Sequence, residues 1–163
     1  MKITPEAGGV RLKLSTGELT MLAGMLDDLL ADLRPGALDA ADPVRERLYP
    51  SGYSDGDPRS ERMFRDLTEA SLRDERTTRA ELCRAETVSR RPGRRAGAIL
   101  LDPEGAERWT QVLNDMRLTL GTRLGVTDDM DYRLNRHDPQ LRERARYVWL
   151  TALQDLLVQT LLG

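Results

Sequence analysis

Aromatic residues are scarce in this 163-residue chain, at 4%, and it holds one phenylalanine, one histidine and one cysteine. Each shortage excludes something. The single cysteine, Cys83, rules out an internal disulfide framework and agrees with a reducing, cytoplasmic setting. The single histidine, His137, has no nucleophile or second acid placed beside it by any recognisable spacing. No apolar run approaches the roughly 20 residues that cross a bilayer, and the opening MKITPEAGGV lacks the apolar segment of a secretory signal. Lysine plus arginine number 25 against 27 acids, so the net charge of −2 offers no overall basic field to attract nucleic acid. A chain of this length is read as one domain spanning residues 1–163, with a core that needs no metal or disulfide.

What is present is helical period. Trp109, Val112, Leu113, Met116, Leu120 and Leu124 recur at steps of three and four, which places them on one helix face. Asp102 followed by Pro103 predicts the helix start, Glu104 and Glu107 suit the positive end of its dipole, and Gly125 marks its stop. Burying Trp109 removes about 200 Å² from water, an upper bound of about 5 kcal/mol. The chain is read as built around this helix, with Trp109 and Trp149 as core anchors.

Before it, Val10, Leu12 and Leu14 alternate with Arg11 and Lys13 as a short strand. Ser15 or Thr16, with Glu18 following, opens a helix whose stripe is Leu19, Leu22, Met25, Leu26, Leu29 and Leu33, stopped by Pro35 and Gly36. Prolines and glycines from Ala37 to Pro58 allow only a helical turn near Val44 to Leu48, with Tyr49 and Tyr53 packing the connection down. Asp57 and Pro58 start a helix expected to turn Met63, Phe64, Leu67, Ala70 and Ser71 inward. A second, weaker helix is expected between Arg73 and Arg95, with Leu82, Ala85 and Val88 at helical spacing. Ala98 to Leu101 reads as a strand paired with the one near Val10. Asp138 and Pro139 begin the last helix, which carries two apolar faces. One holds Leu141, Ala145, Val148, Ala152 and Leu156, the other Leu150, Leu153, Leu157 and Leu161, so the helix is either central in the monomer or shared with a second copy in a homodimer. The expected architecture is mainly α: a bundle of about four to five helices with a minor two-stranded β element.

Candidate sites are few. Asp128, Asp129 and Asp131 with His137 and Asp138 fit no calcium-loop spacing and read as turn residues and a helix cap, so no metal or cofactor is expected. Arg90, Arg91, Arg94 and Arg95 form the one dense basic patch; it is either a solvated loop or a local, salt-sensitive contact for nucleic acid or a partner. Asn114, Asp115 and Arg117 are polar residues within the central helix, read either as structural, with Arg117 held by a carboxylate or by helix-end carbonyls, or as an anion or partner site. Cys83 is read on a helix edge, either as a small, partly buried hydrophobe or as a redox-active thiol whose pKa nearby arginines lower, making it peroxide-reactive. With acids, bases and nucleophiles unclustered, an enzyme is not expected.

The stretches LLDPEGAERWTQVLNDMRLTLGTRLGV, YVWLTALQDLLVQTLL and YPSGYSDGDPRSERMFRDLT together resemble an actinobacterial family catalogued as a domain of unknown function, over essentially the whole chain. Trp109, Asn114, Asp115 and Arg117 carry the resemblance most specifically. The family includes a mycobacterial oxidative-stress transcriptional regulator. The resemblance therefore implies a non-enzymatic cytoplasmic regulator acting through a sigma factor or RNA polymerase; the alternative is a helical adaptor with no role in transcription. That regulator is thought to sense oxidation through a disulfide between two cysteines, a switch closed to a chain with Cys83 alone.

Overall fold

The computed structural model describes residues 1–50, 58–89, 98–127 and 136–163. Two strands open the chain, β1 (Lys2–Glu6) and β2 (Gly9–Lys13), followed by α1 (Thr16–Asp32), α2 (Pro43–Leu48) and α3 (Pro58–Val88). Then come β3 (Ala98–Leu101), α4 (Pro103–Arg123) and α5 (Leu141–Leu162). The mainly helical expectation stands, with five helices among the described residues.

The sheet has three antiparallel strands in the order β1-β2-β3, not two. β2 pairs with β3 as their sequences suggest, and Leu12 lies opposite Ile99 with both side chains buried. The additional strand is β1, whose Pro5 reads against a strand in sequence. At a sheet edge the absent proline N–H removes no ladder bond. Gly9 permits the close approach of the other two strands, because a Cβ there would overlap the Leu101 carbonyl oxygen.

Helix ends follow the local chemistry. Ser15 and Glu18 form a reciprocal capping box on α1. Asp102 accepts from the Gly105 N–H at 2.7 Å with Pro103 in the first turn of α4. At the other end of α4, Gly125 has φ +63° and Val126 N–H returns to the Gly121 carbonyl. The last helix starts later than the Asp138–Pro139 signal implies, since Asp138 caps nothing in α5 itself. Its carboxylate accepts from the Gln140 N–H and pairs with Arg144.

The core lies where α1, α4, α5 and the inner sheet face meet, and Trp109, Leu22, Leu26, Leu113, Leu150 and Leu153 are wholly enclosed there. The second apolar face of α5 points inward through Leu150, Leu153 and Leu157, whereas Leu156, Leu161 and Leu162 are exposed. Trp149 is only partly buried and packs at the margin, its indole N–H 3.4 Å from Glu18.

The largest departure is α3. One helix of 31 residues replaces the two expected ahead of the basic loop. It is also turned over. Met63, Phe64 and Leu67, expected inside, are exposed, as are Leu82 and Val88. The face turned to the protein instead carries Glu69, Arg76, Ala80, Cys83 and Thr87. Spacings of seven, four, three and four keep these residues on one stripe.

Candidate functional site

Beside the enclosed Ala80 and Cys83, the inward face of α3 is held to the bundle by a row of charged contacts. At one end Glu69, only 6% exposed, receives a two-pronged bond from Arg45 of α2, at 3.2 and 2.8 Å, and a second guanidinium from Arg73 one turn along. Burial would raise the Glu69 carboxyl, but the two arginines outweigh it and lower its pKa. Arg73 also lies 5.8 Å from the centre of the Tyr49 ring.

Further along, Arg76 pairs with Asp115 of α4, which is 3% exposed. Here desolvation wins: the Asp115 carboxyl stands above its ordinary value although Arg76 and then Arg79 pull it down. Arg79 donates to the Gln111 side chain at 2.8 Å, and Arg84 grips Asp27 of α1 through two bonds of 2.7 and 3.1 Å. The row ends at Glu86, whose two oxygens accept from Arg108 and from the Trp109 indole.

Cys83 sits in the middle of this row, fully buried, not at a helix edge. Burial first, and Glu86 next, push the thiol up to about 12, while Arg108 opposes them. The expectation that surrounding arginines lower its pKa fails, because burial and Glu86 outweigh the pull of Arg108.

The other polar residues of α4 separate. Asp115 belongs to the charged row. Asn114 is exposed to solvent, which corrects its reading as a core polar residue. Arg117 points the opposite way from α3, donating to the Gln154 side-chain carbonyl on α5 with its guanidinium 5.8 Å from the Tyr147 ring centre. Among the described residues neither a carboxylate nor a helix-end carbonyl holds it, but it does tie α4 to α5.

Arg90, Arg91, Arg94 and Arg95 lie outside the described residues, as do Asp128, Asp129, Asp131 and Tyr53. His137 is exposed. Among the described residues no group of three or more His, Cys, Asp or Glu side chains is placed to hold a metal ion, and no helix is long and apolar enough to cross a membrane.

What sequence reasoning misses is therefore a set: Arg45, Glu69, Arg76 and Glu86. One signal is available, since residues 69, 76, 80, 83 and 87 share a helix face more regularly than the apolar residues of that helix do. On its outer side the same helix presents Met63, Phe64 and Leu67 to solvent, at 64%, 41% and 73% exposure.

Comparison with known proteins gives a match to the family described as "Domain of unknown function (DUF2017)" over residues 1–161. Curated relatives from Mycobacterium bovis and Mycobacterium tuberculosis, each named "Oxidative stress regulator AosR", are 31% identical over 142 residues, covering 80% of this chain. The chain spans 61% of the length of those relatives. No solved structure matches.

Proposed function

Since the chain belongs to the DUF2017 family, we propose that it is a non-enzymatic, cytoplasmic oxidative-stress regulator that works by binding a sigma factor or RNA polymerase. The observation that carries this reading is its 31% identity to the mycobacterial proteins named as oxidative stress regulators. The exposed Met63, Phe64 and Leu67 supply a protein-binding surface, while acids and bases on the inward face of α3 are committed to one another in pairs. In this reading the oxidative signal arrives through the partner and not through the enclosed Cys83 thiol. The outer face of α5, with Leu156, Leu161 and Leu162 exposed, supports a homodimer. An adaptor outside transcription would use the same surfaces, so the partner's identity separates the two.

The test is recovery of RNA polymerase or a sigma factor with the tagged chain from peroxide-treated cells, alongside Leu67→Glu. Regulation predicts that polymerase or a sigma factor is recovered with the wild type and lost with the variant. Absence of both from the wild-type complex, with unchanged peroxide-induced transcripts in a deletion strain, would sink the reading.

A further inference from the structure

The two edges of the sheet are not alike. On β1, Pro5 offers no N–H to a further strand, Lys2 and Glu6 add charge, and α5 packs against it. β3 is Ala-Ile-Leu-Leu, with neither proline nor charge to protect it. The Leu101 carbonyl points toward β2, where a Cβ on Gly9 would meet it. Backbone groups alternate along an antiparallel strand, so the N–H and C=O of Leu100, and of Ala98 two residues back, face away from the sheet. Among the described residues no backbone bond outside the sheet reaches either of them, and the Leu100 side chain is 57% exposed.

What fits this edge follows from the outer face of the sheet. Lys2 lies directly opposite Lys13, and Lys13 opposite Ala98. These are the chain's only lysines; both are exposed, and neither has a hydrogen-bond or ionic partner among the described residues. Like charges directly opposite repel, so the sheet carries an uncompensated positive pair on a chain whose net charge is −2. Arg11, opposite Leu100, already holds Glu6. A strand added beyond β3 would lie about 10 Å from β2. Only the methyl group of Ala98 stands between it and Lys13, and an extended lysine and a glutamate together cross that gap. Glu86 and Asp102 border the Leu101 end of β3, so an acid is favoured at the Ala98 end alone. A row of backbone donors and acceptors beside an apolar side chain selects a polypeptide over a nucleic acid.

We propose that the outer edge of β3 binds an extended acidic segment of a partner protein as an antiparallel fourth strand. An apolar residue of that segment lies beside Leu100 and, two residues further along it, a carboxylate meets Lys13. The edge uses none of Met63, Phe64 and Leu67, so it stands or falls apart from the regulatory reading.

The probe is the blocked hexapeptide Ac-Thr-Thr-Leu-Thr-Glu-Thr-NH2, titrated into the ¹⁵N-labelled full chain and followed at the Ala98 and Leu100 amides. It is expected to shift both amides saturably and to bind more tightly than its Leu-Thr-Lys counterpart. N-methylation of its leucine keeps both side chains but removes the N–H that the Leu100 carbonyl accepts, so binding should be lost. Lys13→Gln should weaken the acidic peptide about threefold, the worth of one exposed ion pair, and narrow the gap between the two peptides. Leu100→Thr should weaken both peptides alike, since it removes only the apolar contact. Unmoved Ala98 and Leu100 amides at millimolar peptide, equal binding of the N-methylated or the lysine peptide, or an affinity indifferent to both substitutions would each overturn the proposal. So would a shift of the same amides on dilution, which would seat a second copy there, or a tighter response to oligothymidylate, which would make the face a nucleic-acid surface.

Discussion

The Trp109 indole N–H donates to Glu86 Oε2 at 2.6 Å, which tethers the largest enclosed side chain of the core to a carboxylate on α3. Packing and polarity meet in this pair, since the ring is wholly enclosed in the core while its one polar atom reaches the long charged helix. Trp109→Ala should cost about 3–5 kcal/mol through the cavity it opens. Trp109→Phe keeps most of the packing and loses the donor, so about 1–2 kcal/mol is expected. Urea denaturation of both variants measures this, and equal, small losses would remove Trp109 from the centre of the fold.

The Arg76–Asp115 pair should behave as a buried ion pair. Arg76→Met strands a carboxylate that is 3% exposed and should cost about 3–5 kcal/mol. Adding Asp115→Leu should restore most of the loss, because no charge is then left buried. A double-mutant cycle reads the coupling directly; additive losses would mean that the two residues do not stabilise each other.

Stability should also report on Glu18. Burial alone would raise its pKa, but bonds from the Met1 ammonium, the Ser15 amide and hydroxyl and the Trp149 indole outweigh it, lowering the value from 4.5 to about 2. A depressed folded-state pKa contributes stability that is fully present above about 4.5 and is lost as pH falls toward about 2. Tm should therefore fall across that window in the wild type, and Glu18→Gln should flatten the fall. An unchanged pH slope in the variant would detach Glu18 from acid sensitivity.

Thiol chemistry gives a further check. With its pKa pushed up to about 12 and its side chain enclosed, Cys83 should react with Ellman's reagent at pH 8 only as fast as the protein opens. Urea should release one full equivalent of thiol. Rapid reaction in the folded protein would show that α3 leaves its seat readily.

Much of the helical frame is legible in the amino-acid sequence, for identifiable reasons. Ser15 with Glu18 and Asp102 with Pro103 are local devices whose hydrogen bonds span three residues, so short sequence windows contain them entire. The apolar stripe of α4 is legible because Trp109, Val112, Leu113 and Met116 all face one core. The candidate site is largely hidden, because a carboxylate such as Glu69 looks solvated until Arg45, 24 residues away, is placed against it. Asn114 misleads in the opposite sense, sharing a helix with Asp115 but not its face.

By itself, the sequence determined where most helices begin and which residues of α1 and α4 form the core, because capping and apolar period act within a few turns of chain. Only the tertiary structure decided which face of α3 is buried. Hydrophobicity favoured Met63, Phe64 and Leu67, but the arginines and acids of the other face found partners on α1, α2 and α4, and those pairings are long-range. The same reason enclosed Cys83. Its position on the chain suggested an edge, and the helix rotation set by Glu69, Arg76 and Glu86 placed it inside.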